Sequence, residues 1–362
     1  MATNSSTLTY HDEIVRNNIH KLRSMLETLP PFCKQFFRGI EEYTSSRTRL
    51  SYAYDIRIFF EFLKEKNPSL KDTEIKDFTL DILDSVKRED IEEYLEYLTL
   101  YEKDSKEIKN DERGKARKLA SLRSFYKYFY MSEMISTNPP SLVSTPKLHE
   151  KEIIRLEPDE VAVLLDMVED GEKLTKGQMR FHEKTKLRDV AIITLLLGTG
   201  IRVSECVGLD IDNVDFKSNG IFIVRKGGKE ATVYFGDEVR TALLDYLEIR
   251  RSIIPVSGSE KALFLSLQNK RICVRSVEKL VKKYTSNLTN LKKITPHKLR
   301  STYGTTLYKE TGDIYLVADV LGHKDVNTTR KHYAAIEDDR RRSAANIVKL
   351  RDTGKRNDET TE

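Results

Sequence analysis

Between Asn138 and Ile153 the sequence loses its regular apolar spacing, and Pro139, Pro140 and Pro146 place three prolines within eight residues. Proline fixes φ and removes a backbone donor, so a helix or a central strand does not run through such a stretch. In a chain of 362 residues this break predicts two domains joined by a linker over residues 138–154.

On the N-terminal side the apolar spacing is helical. His11–Leu29 carries Ile14, Ile19, Leu22, Met25 and Leu26, and a second helix, Arg47–Lys66, is stopped by Asn67-Pro68. A third helix is predicted over Arg88–Tyr101. A fourth, Arg113–Met134, starts basic and ends aromatic (Phe125, Tyr126, Tyr128, Phe129, Tyr130). Its basic side suits phosphates or the solvated face of a bundle equally well.

Beyond the linker the pattern predicts a helix over Glu157–Glu169, then a polar stretch, residues 170–186. A buried helix, Leu187–Leu197, follows and ends at Gly198 and Gly200. Strands Ile221–Val224 and Thr232–Phe235 flank Lys226-Gly227-Gly228-Lys229, a hairpin signal. The expected fold class is therefore mainly α, with a small β-hairpin in the second domain.

The same residues exclude several classes. The longest nearly apolar run, Val190–Leu197, has eight residues, whereas a membrane span needs roughly 20. No apolar h-region occupies the first residues, so no signal peptide is expected. Cys33, Cys206 and Cys273 stand far apart, which suits a reducing cytoplasm and disfavours a cysteine-based metal site. The net charge of +5 is uneven: residues 1–150 hold 24 basic against 25 acidic side chains, and residues 151–362 hold 38 against 32. A basic second half fits a polyanionic partner or ordinary solubility; charge alone does not choose.

Four segments carry residues suited to chemistry. In GTGIRVSE, residues 198–205, the glycines end the buried helix and Ser204 is the expected N-cap of the next, leaving Arg202 on a rigid corner. In TPHKLR, residues 295–300, Thr295 and Pro296 open a helix and set His297 and Arg300 three apart in its first turn. In LGHKDVNTTRKHY, residues 321–333, Gly322 marks a helix end beside His323, and Tyr333 follows ten residues later. The fourth segment is the hairpin turn with Lys226. Each alone reads more readily as ordinary structural or surface chemistry.

In this order the segments resemble the tyrosine recombinase (phage integrase) family, on Arg202, Lys226, His297, Arg300, His323 and Tyr333. The 170–186 insertion and the RKGGKE turn look most like the Xer branch, in particular its single-recombinase streptococcal type. Tyr333 stands one residue farther from the LGH histidine than is usual in the family, and His332 takes the usual place. Tyr333 is nevertheless the sole tyrosine after position 315. The resemblance implies a partly helical N-terminal extension over 1–29, a helical core-binding domain over 30–137, a catalytic domain over 155–350 and a disordered tail over 351–362. The two domains are expected to clamp duplex DNA.

The chemistry implied is phosphodiester transfer. Arg202 and Arg300 would donate paired hydrogen bonds to the non-bridging oxygens. Tyr333 would attack phosphorus to give a 3′-phosphotyrosine. The resemblance assigns Lys226 as general acid, His297 as proton acceptor and His323 as a phosphate donor, with Glu205 supporting the site. No metal or other cofactor is expected, and the sequence has no clustered metal-ligand set. The expected partner is a double-stranded recombination site, bound by a homotetramer on paired sites that is a monomer or weak oligomer off DNA. A septal DNA translocase is a further expected partner, and the location is the cytoplasm, at the nucleoid. Arg117, Lys118 and Arg123 are the N-terminal candidates for DNA contact. Residues 336–350 read as an amphipathic helix, packing on its own domain or on a neighbouring protomer. Three other functions stay open: a DNA-binding protein that has lost cleavage, a type IB topoisomerase-like enzyme and a mobile-element integrase.

Overall fold

A computed structural model of the chain describes residues 9–149, 154–225, 228–286, 288, 292–323 and 325–326. The chain divides into two units, residues 1–151 and 152–362. Both are mainly helical, with small antiparallel sheets.

The first unit runs α1 (Tyr10–Leu26), α2 (Cys33–Gly39), α3 (Ser46–Lys66), α4 (Leu80–Ser85) and α5 (Arg88–Tyr97). It continues with β1 (Leu100–Lys103), β2 (Lys106–Lys109), α6 (Glu112–Met131) and α7 (Pro139–Leu142). The helix starts are chemically marked: Thr9, Ser45 and Asp111 each accept an amide N–H from the first turn that follows. The core is aromatic. Phe36, Phe59, Phe60, Phe125 and Phe129 are buried and meet mostly edge to face, the arrangement their ring quadrupoles favour.

Three expectations change in this unit. Residues 10–29 are an integral part of it, because α1 packs on α3 and Leu22 and Leu29 join its core. The expected helix to Tyr101 ends at Tyr97, and β1 pairs with β2 across a two-residue turn, Lys103 facing Lys106. Asp104 and Ser105 take φ of 51° and 58° there, a conformation usually advertised by glycine or asparagine, so the hairpin carried no sequence signal. The proposed linker also begins as folded chain. Pro139 and Pro140 occupy the start of α7, where their missing N–H groups cost nothing, and Arg123 holds the segment through the Pro140 and Val143 carbonyls.

The second unit runs α8 (Pro158–Asp170), α9 (Lys176–Thr199), α10 (Val203–Gly208), β3 (Val214–Asp215), β4 (Gly220–Val224) and β5 (Glu230–Tyr234). The helices α11 (Asp237–Ser252), α12 (Val274–Thr285), α13 (Pro296–Thr311) and α14 (Ile314–Leu321) follow. Its sheet is antiparallel in the order β3-β4-β5, one strand more than the expected hairpin. Buried α9 is the hub, packing against α8, α11 and α13.

α9 also corrects the expected polar stretch. It starts at Lys176, with Thr175 and Gln178 capping each other, and runs 24 residues. His182, Thr185 and Asp189 face inward and mask the apolar period. Asp189 accepts from Thr185, Tyr284 and Lys283, and His182 Nδ1 lies 3.0 Å from the Tyr284 hydroxyl. Buried polar groups stay buried only when paired in this way. Among the described residues, no helix is long and apolar enough to cross a membrane.

Candidate active site

The corner after α9 is built by glycine. Gly200 caps the helix at φ +61°, and a Cβ there would strike the Tyr303 ring. The chain then turns into α10 with Arg202 in the N-cap position; Ser204, the expected cap, lies inside the helix. Buried Glu205 does two things at once. One oxygen accepts the Arg202 amide N–H at 2.7 Å, and the other accepts the Arg202 guanidinium at 2.8 Å. The guanidinium is thus aimed by the residue that closes the helix start. Next along α10, burial pushes the Cys206 thiol up to about 12, which removes it as a competing nucleophile.

α13 begins with Pro296 as its first residue, as the TPHKLR pattern predicts, although the Thr295 hydroxyl makes no capping bond. His297 is exposed in the first turn. Arg300, one turn on, is buried, and its guanidinium donates to the Gly200 carbonyl at 2.6 Å and to the Leu321 carbonyl. The chain entering this unit is lashed to the same helix: the Leu156 N–H donates to the Thr302 hydroxyl, and Lys309 pairs with Glu157.

α14 supplies the third wall. Gly322 ends it in the left-handed region at φ +63°, and the His323 N–H donates back to the Ala318 carbonyl at 2.9 Å, a glycine-closed helix end. Arg202 reaches this end as well, donating to the Gly322 carbonyl at 3.2 Å. The described geometry therefore brings Arg202, Glu205, Arg300 and His323 together, with His297 one turn from Arg300. Lys226, Tyr333 and the segment 336–350 lie outside the described residues.

The N-terminal candidates for DNA contact have other work. Lys118 is buried and donates to the Asn110 side chain at 2.7 Å, and burial pulls its ammonium below the usual lysine value. Arg123 is spent on the Pro140 and Val143 carbonyls and the Thr145 hydroxyl. Arg117 pairs with buried Asp55, although half of its side chain stays exposed. A facing side chain and the chain after α6 thus engage Lys118 and Arg123, which local spacing does not reveal, while Arg117 keeps half of its side chain in solvent.

Two features escaped the sequence reading. On α12, Val277, Leu280, Val281 and Tyr284 are buried, while Arg275, Lys279 and Lys282 share the solvent face. Their four- and three-residue spacing within VRSVEKLVKKYT was the available signal. The other is Arg225, whose guanidinium crosses from the end of β4 to the carbonyls of Asp319 and Val320 on α14. Nothing in the sequence announces a contact between residues so far apart.

Comparison with known proteins points to one family. Residues 155–340 match the phage integrase family. The chain is 37% identical over 339 residues to tyrosine recombinase XerC of Caldanaerobacter subterraneus subsp. tengcongensis, covering 89% of this chain and 88% of that protein. It is 30% identical over 357 residues to tyrosine recombinase XerS of Streptococcus pneumoniae (strain P1031), covering 91% and 98%. In fold it is similar to the XerH site-specific recombinase bound to a palindromic difH substrate, with a TM-score of 0.64 at 20% identity, covering 92% of this chain and 89% of that one.

Proposed function

Because the chain belongs to the phage integrase family of tyrosine recombinases, enzymes that cut and rejoin DNA, we propose that it recombines specific sites through a 3′-phosphotyrosine and a Holliday junction, and that it resolves chromosome dimers. The observation that carries this reading is the convergence of Arg202 and Arg300 on neighbouring carbonyls, Gly322 and Leu321, beside His323.

A phosphodiester repels nucleophiles by its charge, and the pentavalent transition state carries more. Two guanidiniums at one point neutralise that charge with directed donors, and a preorganised pair needs no rearrangement as it develops. Glu205 keeps Arg202 aimed. In this reading Tyr333 attacks phosphorus, its proton passes to His297, and the 5′-oxygen leaves with a proton from Lys226. His323 donates to the phosphate. The covalent bond conserves the energy needed for rejoining.

We extend the proposal to a chromosomal role, to four protomers on two paired sites and to activation by a septal translocase, as the resemblance to the Xer branch implies. Arg275, Lys279 and Lys282 on α12 are the DNA-facing residues we favour, since their charges point to solvent.

A nicked suicide substrate tests the reading. Tyr333→Phe should abolish the covalent adduct and leave duplex binding nearly intact, because one oxygen is lost with little change of shape. An adduct formed by the Phe variant would place the nucleophile elsewhere. Mapping adducts of the wild-type enzyme on genomic DNA should find one chromosomal site; sites confined to mobile elements would replace dimer resolution with integration.

A further inference from the structure

Arg225 closes the hairpin with its backbone and leaves it with its side chain. Its N–H donates to the Lys229 carbonyl at 2.8 Å, and its carbonyl accepts from the Gly228 N–H at 3.1 Å. The guanidinium crosses to α14, donating to the Asp319 carbonyl at 3.0 Å and the Val320 carbonyl at 2.8 Å. Its Nε is buried without a partner, a desolvation cost that a fork left in water would avoid. A Cβ on residue 322 would run into this guanidinium. Gly322 therefore serves the contact as well as its own left-handed turn.

With Arg300 on Leu321 and Arg202 on Gly322, three guanidiniums cap four successive carbonyls at the end of α14. A helix C-terminus presents unsatisfied carbonyls and the negative end of its dipole, so cations there are held well. Two of the three arginines are the phosphate donors proposed above. The third directly precedes Lys226 in the chain.

We propose that Arg225 is a positioning residue for the general-acid step, mooring the start of the Lys226 turn to the helix end that carries His323. The proposal rests on the reading of Lys226 as general acid. In cleavage the Tyr333 oxygen bonds to phosphorus, the bond from phosphorus to the 5′-oxygen breaks, and that oxygen takes a proton from the Lys226 ammonium. The tyrosine proton has gone to His297. Losing the mooring slows the protonation and leaves the phosphate donors and nucleophile in place.

A sulfur at the 5′-bridging position separates these effects, because a thiolate leaves without needing a proton. Single-turnover cleavage is measured on oxygen and sulfur suicide substrates for the full-length wild type, Lys226→Ala, Arg225→Ala and Arg225→Lys. Arg225→Ala should slow oxygen cleavage by about tenfold to a hundredfold, part of the 10²–10⁴ range of general-acid effects. The sulfur substrate should restore it, with half-site binding unchanged. Arg225→Lys, which keeps the charge but not the planar fork that fits the two carbonyls, should show a smaller defect of the same kind and stands in if the alanine variant is unfolded. A wild-type rate for Arg225→Ala on oxygen overturns the proposal, as does a defect of equal size on both substrates. If sulfur fails to restore Lys226→Ala itself, the general-acid reading falls, and the mooring role falls with it.

Discussion

Arg202 and Arg300 come from different helix starts, α10 and α13, yet donate to adjacent carbonyls, those of Gly322 and Leu321. The pair is unequal. Arg300 is buried and also holds the Gly200 carbonyl, whereas Arg202 is about one-third exposed and leans on Glu205. The same chemical substitution should therefore have two different costs.

Arg202→Lys and Arg300→Lys should each lower single-turnover cleavage by about 10²–10³, the usual cost of losing one preorganised donor, because a point charge does not replace a planar fork. Arg300→Lys should also lower thermal stability, by about 1–3 kcal/mol for a buried carbonyl left unpaired. Arg202→Lys should melt close to wild type. Near-normal cleavage by either variant would remove that residue from the site, and equal melting of the two would contradict the burial difference.

The reassigned charges make a second contrast. Arg123→Ala should cost about 1–3 kcal/mol of stability by orphaning the Pro140 and Val143 carbonyls, while the salt dependence of DNA binding stays unchanged. Lys279→Ala, by comparison, should weaken binding and reduce the salt slope by about 1. Fluorescence anisotropy titrations over a range of salt, with a melt of each variant, check both. A reduced slope for Arg123→Ala would restore it as a phosphate contact.

His182 couples stability to pH. Burial holds its imidazole below the usual histidine value, and neighbouring Lys283 and Lys186 act in the same direction, against a hydrogen bond to the Glu169 backbone and the Asp189 carboxylate. The unfolded state therefore binds the proton more readily. The stability His182 contributes is fully present above the unfolded value near 6.5 and declines as pH falls through the folded value. Urea midpoints should drop between pH 7.5 and pH 5.5, and His182→Gln should flatten that part of the curve. An unchanged slope in the variant would show that other groups carry it.

Residues 336–350, IEDDRRRSAANIVKL, follow Tyr333 closely in the chain, so docking them on a neighbour would tie the proposed nucleophile to assembly. Truncation after Ala334 should then weaken cooperative binding to a two-site DNA and spare binding to one half-site in gel-shift titrations. Cooperativity that survives truncation would keep the segment on its own protomer.

Much of the site was legible in the linear sequence because local rules build it. Gly200 and Gly322 announce left-handed helix ends, Pro296 announces a helix start, and each sets a candidate side chain at a short, fixed offset. The helical class of the chain followed in the same way from apolar spacing. What tertiary structure alone decided was the use of charge. Lys118 and Arg123 looked like a basic surface until Asn110 and the chain after α6 claimed them. Half of α9 looked like a polar insertion until Asp189 found Tyr284 and Lys283. Arg225 looked like any turn residue until α14 offered it two carbonyls. Periodicity and capping are short-range and written in neighbouring residues, whereas the partner of a charged side chain is set by packing between elements far apart in the chain.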